Sequence, residues 1–243
     1  MRSGTSSDDT VVLALNSGSS SLKIALYSMR DTREEKLAKG AAEGLGGKNG
    51  RAWLRKVQQS VLDESCNFTN ASQAVDYLLC ALERESLPAP DVVGHRIVHG
   101  GPCLQRHQRI TPEVVRQLEE AIQFAPVHLP PALGVVRNVS RRFPEIAHVA
   151  CFDTVFHHTL PEHVARLPLP HEFWDRGLKR YGFHGLSCES IVHALGDELA
   201  SRTVIAHLGN GCSVRRRPAD CATLPELDGS QLRSREVFGF KAI

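Results

Sequence analysis

Long apolar runs, a signal-peptide core, paired cysteines and a surplus of one charge are all missing from this 243-residue sequence. Apolar runs such as Thr203–Ala206 fall far short of the roughly 20 residues that span a bilayer. Met1–Thr10 is polar, with two Asp, and has no apolar core for secretion. With 29 Lys and Arg against 27 Asp and Glu, a formal charge of +2 implies no polyelectrolyte partner. The seven cysteines (66, 80, 103, 151, 188, 212 and 221) include no C-x-x-C pair and are odd in number. Reduced thiols in a cytoplasmic protein are expected, not a disulfide framework. The sequons at Asn67, Asn70 and Asn138 then read as chance matches. The 12 His show neither zinc-finger nor H-E-x-x-H spacing, and no Rossmann fingerprint or triad order is found. What remains is ordinary globular composition, 42% hydrophobic and 23% charged. At about 150 residues per domain it suffices for one large domain or two small ones.

Patterning divides the chain into an antiparallel start and an alternating remainder. Thr10–Leu15 is a continuous apolar, β-branched run, Asn16-Ser-Gly-Ser-Ser is turn chemistry, and Leu22–Tyr27 alternates, so a β-hairpin is expected. Further strands are expected near Leu37–Ala42 and Ala52–Gln58, with Gly44–Gly50 as the loop between them. Ser72–Glu85 has helical periodicity, and Asp91–Val98 reads as a strand. Thr111-Pro-Glu opens a helix to about Phe124, with Thr as N-cap and Pro at the first helical position. Helices at Pro131–Arg142 and Leu186–Leu199 and strands at Ala147–Phe152 and Thr203–His207 complete the alternation. Strands alternating with helices imply an α/β sheet. Arg215-Arg-Arg-Pro begins a stretch without periodicity. Three Arg without a basic helix do not make a nucleic-acid or membrane surface, so a solvated or non-native tail is expected.

Five positions carry chemistry. In Asn16-Ser-Gly-Ser-Ser-Ser-Leu-Lys, Gly18 lets a ligand approach the backbone, the serines offer hydroxyls and N–H groups, and Lys23 adds a point charge. The turn is not a P-loop, which would lead into a helix and end Lys-[Ser/Thr]. In Gly94-His-Arg-Ile-Val-His-Gly-Gly, Arg96 lies inside an apolar strand. Buried there, it requires an anion, either an internal carboxylate or a small carboxylate or phosphate held by its planar guanidinium. Asp153 ends an apolar strand, where it is either a ligand-facing carboxylate or a helix N-cap. His184, flanked by glycines in Tyr181-Gly-Phe-His-Gly, precedes a helix and can donate to developing negative charge. His207-Leu-Gly-Asn-Gly is a second strand-to-glycine turn of the kind that cradles phosphates. Together they point to phosphoryl transfer involving a small anion.

These motifs, with Ala125-Pro-Val-His128, resemble in order and separation the acetokinase family of acetate, propionate and butyrate kinases. The similarity runs from about Val11 to Ser213. The resemblance implies the acetate/sugar kinase–Hsp70–actin fold, which is ribonuclease H-like, and reversible transfer of the ATP γ-phosphoryl to acetate with Mg²⁺, giving acetyl phosphate and ADP. It would place Asn16 at the magnesium site and Lys23, Ser19 and Ser21 at the ATP phosphates. Arg96 would hold the acetate carboxylate, Val98 its methyl group, and His128 a phosphate contact. Asp153 would be the essential carboxylate and His184 the transition-state stabiliser. His207, Leu208, Gly209, Asn210 and Gly211 would form the second phosphate loop. A cytoplasmic protein that binds no nucleic acid or membrane is implied; the resemblance also suggests a homodimer, with the dimer-forming half largely missing from this chain. Propionate kinase, and a non-catalytic anion- or nucleotide-binding fragment, are the alternatives.

Departures from the family pattern begin with Leu129, where Asn is usual, and with Leu186 and Cys188, where Thr and His are usual. After Ser213 the Asp-Thr-Ser/Thr-Met-Gly and Gly-Thr-Arg-x-Gly-Asp stretches are missing. So are the second substrate Arg, the adenosine pocket and the late metal-binding Glu. The expected organisation is a mobile start over 1–9, a domain over 10–200 and the start of a second domain over 201–213. Residues 214–243 then form a divergent tail, attributed to a frameshift, premature stop or sequencing error. An inactive or impaired enzyme is expected of a chain so truncated.

Overall fold

The computed structural model describes residues 9–31, 33–57, 59–200, 202–208 and 212–217, and in the last segment only Val214 has a described side chain. Expectations for residues 1–8 and 218–243 lie outside these. The chain forms two compact units, the first from Met1–Ile97 and Gln108–Cys151, the second from Val98–His107 and Phe152–Ile243.

The first unit is built on strands β1 (Thr10–Ser17), β2 (Ser21–Arg30), β3 (Arg33–Glu43), β4 (Arg51–Lys56), β5 (Gln59–Ser65), β6 (Val92–Ile97), β7 (Gln108–Arg109) and β8 (Ala147–Phe152). Their order in the sheet is β5-β4-β3-β2-β1-β6-β8-β7. The first five form an antiparallel meander, and β6 joins β1 in parallel. Alternation puts Val11, Leu13 and Leu15 of β1 on one face with Leu22, Ile24 and Leu26 of β2. Gly50 permits the meander to close, because a Cβ there would stand 2.2 Å from the Cys66 carbonyl oxygen.

Helices α1 (Ala71–Arg84) and α3 (Leu129–Arg142) cover that apolar face, while α2 (Pro112–Glu120) packs beside α3. Leu78 and Val139, both fully buried, join Leu13, Leu22 and Leu54 in one core. Each such side chain contributes about 1.5–3 kcal/mol by leaving water. The Asn70 carboxamide oxygen caps α1 by accepting from Gln73 N–H at 3.0 Å. Thr111 caps α2 as expected, its hydroxyl accepting from Val114 N–H at 3.3 Å. Asn138 ties α3 to α1, donating to the Ser72 carbonyl at 3.0 Å and to Asp76 at 2.9 Å.

The second unit contains α4 (Glu162–Ala165), α5 (His171–Asp175) and α6 (Gly185–Leu195), then β9 (Thr203–Leu208) and β10 (Cys212–Arg217). Phe156, Cys188, Ile191, Val192 and Ile205 form its core around α6. The expected Leu186–Leu199 helix is shorter, passing into a 3-10 turn at Gly196, whose φ is +45°. The strands β9 and β10 pair antiparallel from Leu208↔Cys212 to Thr203↔Arg217. The strand therefore continues through Arg215–Arg217, where no pattern was expected, because backbone pairing with β9 does not require alternation in the side chains. Among the described residues, no helix is long and apolar enough to cross a membrane.

Candidate active site

Strand register assembles the first group of predicted residues. Asn16 on β1 is the Cα partner of Lys23 on β2 and of Arg96 on β6. Register partners share a face, so Lys23, Asn16 and Arg96 form one row across three strands, opposite the Leu13–Leu15 core. The row is half-buried, and the Arg96 Nη1 donates to Asn16 Oδ1 at 2.8 Å. Beneath it the same face carries Ala25, Ala14 and Gly94, and a Cβ on Gly94 would meet nothing within 4 Å. Two cations over small residues make a positively charged recess suited to an oxyanion.

The adjoining turn closes through Gly18 N–H, which donates to the Ser21 carbonyl at 2.8 Å. Leu45 N–H donates to the Ser20 carbonyl at 3.0 Å, fixing the turn from the other side. Ser19 is exposed and Ser21 half-buried. His128 is exposed and stands immediately before α3, where its carbonyl accepts from Ala132 N–H at 3.3 Å.

The expectation of a buried Arg96 requires correction. Arg96 is only half-buried, because it lies on the face of the sheet opposite the apolar core, and Asn16 Oδ1 accepts from its Nη1. The buried polar side chain of β6 is His95, 2% exposed on the core face. Phe143 offers only a carbonyl to His148 Nε2, at 2.9 Å, so that nitrogen carries the proton. In that tautomer His148 Nδ1 accepts from His95 Nε2–H at 3.0 Å. Burial first, and the neighbouring His148 second, lower the His95 pKa to about 3.

The second group lies in the second unit. Asp153 directly follows β8 and is 2% exposed. It is not a helix cap, since Thr154 occupies the N-cap position of the 3-10 turn Val155–His157. The Asp153 carbonyl accepts from Gly185 N–H at 2.9 Å. The contact requires glycine, because a Cβ on Gly185 would come within 2.2 Å of that oxygen. His157 Nε2–H donates to the Phe183 carbonyl at 3.2 Å, and its ring lies against Gly182. The Phe152–His157 and Tyr181–Gly185 motifs are thus locked together by backbone contacts.

His184 forms the N-cap of α6 in the left-handed region, φ 58° and ψ 23°. That conformation costs an L-residue roughly 1–2 kcal/mol, and such strain concentrates at functional positions. Its imidazole stacks on His207, centroids 4.2 Å apart and planes 14° apart, while His207 Nδ1 shares a 3.1 Å hydrogen bond with Ser187 Oγ. Val98 is half-buried and Leu208 exposed. Gly209, Asn210 and Gly211 lie outside the described residues.

His99 was not singled out as a site residue, yet it is buried and edge-on to Tyr181 at 4.4 Å. Its Nδ1 accepts from Gly101 N–H at 2.8 Å. Burial lowers the His99 pKa to about 4 and raises that of Tyr181 to about 12. A cavity of about 190 Å³ in this unit is lined by Gly101, Thr154, His157, Lys179 and Tyr181 among others. Asp153, His184 and His207 do not line it, although Thr154, His157 and Tyr181 come from the same two motifs.

Among the described residues, no group of three or more His, Cys, Asp or Glu could hold a metal. Asn16 Oδ1 is engaged by Arg96 and flanked by two cations. These residues do not fit a protein-built Mg²⁺ site.

Comparison with known proteins identifies the pattern. The model of the acetokinase family matches residues 11–216. The acetate kinase of Rhodopseudomonas palustris (strain TIE-1) is 34% identical over 93% of this chain and 60% of that protein. The acetate kinase of Porphyromonas gingivalis (strain W83) is 37% identical over 84% of this chain and 54% of that protein. The chain thus spans little more than half the length of these curated relatives. Among solved structures, Porphyromonas gingivalis acetate kinase matches at a TM-score of 0.75 and 34% identity, covering 90% of this chain and 56% of that one. A propionate kinase from Francisella tularensis matches at 0.78 and 28%, over the same shares of the two chains. The mixed sheet and these neighbours establish the acetate/sugar kinase–Hsp70–actin fold. The chain belongs to the acetokinase family.

Proposed function

We propose that this chain carries the carboxylate- and phosphate-binding part of an acetate kinase site, for reversible transfer of the ATP γ-phosphoryl to acetate. The Lys23–Asn16–Arg96 row carries this reading, since it presents two cations on one sheet face above small side chains. Arg96, its Nη1 held by Asn16, would take the acetate carboxylate, and Lys23 with Ser19 and Ser21 the nucleotide phosphates. His128 would add a phosphate contact, as would His207, Leu208 and the loop of Gly209, Asn210 and Gly211. Acetate is already ionised at neutral pH, so its attack on phosphorus requires positioning and positive charge, with no strong base. Asp153 would orient, and His184 would donate to the charge that spreads over the transferring group. Mg²⁺ would enter with the nucleotide, most of its oxygen ligands coming from phosphate and water.

Formation of acetyl hydroxamate from ATP, acetate and hydroxylamine tests the reading. Weak product formation at most is expected, lowered further by Asp153→Asn; full parental turnover in that variant removes any essential charge at Asp153. Binding of ATP and acetate without product would favour a non-catalytic module, and neither binding nor product would overturn both readings. Propionate is the second acceptor to test, because a propionate kinase shares the fold at a TM-score of 0.78. A cytoplasmic homodimer accompanies this reading, and sedimentation of the purified chain measures the dimer.

A further inference from the structure

His107 ends the irregular Val98–His107 stretch and belongs to none of the motifs above. Phe152 N–H donates to its Nδ1 at 3.0 Å. A ring nitrogen that accepts carries no proton, so the proton of the neutral ring sits on Nε2. That nitrogen is 3.1 Å from Glu189 Oε2 and donates to it. The two partners together fix one tautomer. The carboxylate also polarises the ring and makes Nδ1 a better acceptor, as in other carboxylate–histidine pairs.

Glu189 stands on α6, four residues beyond Gly185, whose N–H donates to the Asp153 carbonyl. Two successive residues, Phe152 and Asp153, are therefore tied to α6, one through His107 and the other directly. A single hydrogen bond leaves a pivot, whereas two ties about 6 Å apart along a helix also fix its direction. Asp153 and His184, the cap from which α6 starts, are held by the same pair of ties.

We propose that His107 and Glu189 are positioning residues, a brace that holds Asp153 and His184 in one mutual arrangement for phosphoryl transfer. The proposal rests on the function proposed above. Neither residue touches reacting atoms. With side chains 28% and 38% exposed, the brace contributes chiefly geometry, because water screens much of its charge.

The test combines residue-resolved amide exchange with kinetics on the whole chain. In Glu189→Ala and His107→Phe, exchange at Gly185 and Phe152 is expected to rise about tenfold, while Leu13 and Leu26 in the sheet stay unchanged. Glu189→Gln keeps an oxygen that can accept from Nε2–H, so its exchange should remain within threefold of the parent. Acetyl hydroxamate formation in the first two variants should lose about tenfold in kcat with the acetate KM unchanged, and the Gln variant should recover most of it. Exchange at Gly185 within twofold of the parent in both truncations overturns the brace. Faster exchange with unchanged kcat overturns its role in positioning. A parent chain that forms no product defeats the functional reading, while the exchange arm still decides whether the brace exists. If Glu189→Ala fails to fold, the comparison rests on His107→Asn, whose Oδ1 can accept from Phe152 but cannot reach Glu189. It should protect Phe152 and release Gly185, and protection at both overturns the proposal.

Discussion

The two groups of candidate residues are positioned in different ways. Lys23, Asn16 and Arg96 stand on three paired strands, and the ladder that holds the sheet together also sets their order. Asp153 and His184 stand at a strand end and a helix start, 31 positions apart in sequence, with no ladder between them. Their placement depends on a few individual contacts, namely Gly185 N–H to Asp153, His157 to Phe183, and His107 to Phe152 and Glu189. A register-built group should resist single substitutions that do not alter the recess, whereas a contact-built group should fail at one atom.

The largest effect is expected from Gly185→Ala. The new methyl would lie 2.2 Å from the Asp153 carbonyl oxygen and 2.7 Å from Phe156 Cβ, so α6 or the loop must move. Overpacking of this severity costs about 3 kcal/mol. The two tryptophans divide between the units, Trp53 on β4 and Trp174 on α5, so variants retaining only one report each unit by fluorescence. Urea unfolding should shift strongly by Trp174 and much less by Trp53. Equal shifts would show that the two units unfold as one.

Next comes Arg96→Gln, which removes a cation from the recess and leaves the strand paired. Loss of a charge-assisted contact to a carboxylate is worth about 2–3 kcal/mol, or roughly a hundredfold in affinity. Acetate binding measured by calorimetry should weaken by that factor, with the Trp53 unfolding midpoint unchanged. Unchanged binding would remove Arg96 from the carboxylate site.

How much could be read beforehand follows the same division. Strands β1 and β2 were legible because one of their faces is buried and apolar, and α1 through its 3.6-residue period. The β5 strand was not, since five of its seven residues are exposed and the others are Val61 and Leu62 side by side, which is no alternation. Helices α4 and α5 have four and five residues, too few to show a period. The positions of Asn16, Arg96, Asp153 and His184 at a strand end before a turn, in a strand, after a strand and before a helix were legible from the pattern around them. His107 and Glu189 were not, because they are 82 positions apart and each alone is an ordinary surface residue. Arg96 was read as buried because its neighbours in sequence are apolar. Alternation turns Val93 and Ile97 to the core and Arg96 away from it.

Acid provides a graded version of the comparison, because each unit contains a buried histidine whose pKa is lowered by burial. The His95 pKa is lowered to about 3 and that of His99 to about 4, while an unfolded imidazole takes its proton near 6.5. Between pH 6.5 and those values the unfolded chain binds more protons, so stability falls as pH falls and the contribution is complete above 6.5. Each residue adds a slope of up to about 1.4 kcal/mol per pH unit. Urea midpoints from pH 7 to 4.5 should decline for both tryptophans. His99→Asn, whose carboxamide oxygen can accept from Gly101 N–H, should flatten the Trp174 curve and leave the Trp53 curve as it was.

The smallest effect is expected where two methyl groups decide the outcome. Val98 is half-buried and was assigned to the methyl pocket of the acyl group by resemblance alone. If its side chain faces that methyl, Val98→Ala enlarges the pocket and should favour propionate over acetate in kcat/KM. One methylene is worth about 1–3 kcal/mol in a closed apolar pocket, and the half-buried setting puts the shift at the lower end, about fivefold. An unchanged ratio with reduced stability would place Val98 in the packing of its unit. An unchanged ratio and unchanged stability would leave acyl selection to other residues. A fivefold shift would extend contact-by-contact control from the reacting groups to substrate choice.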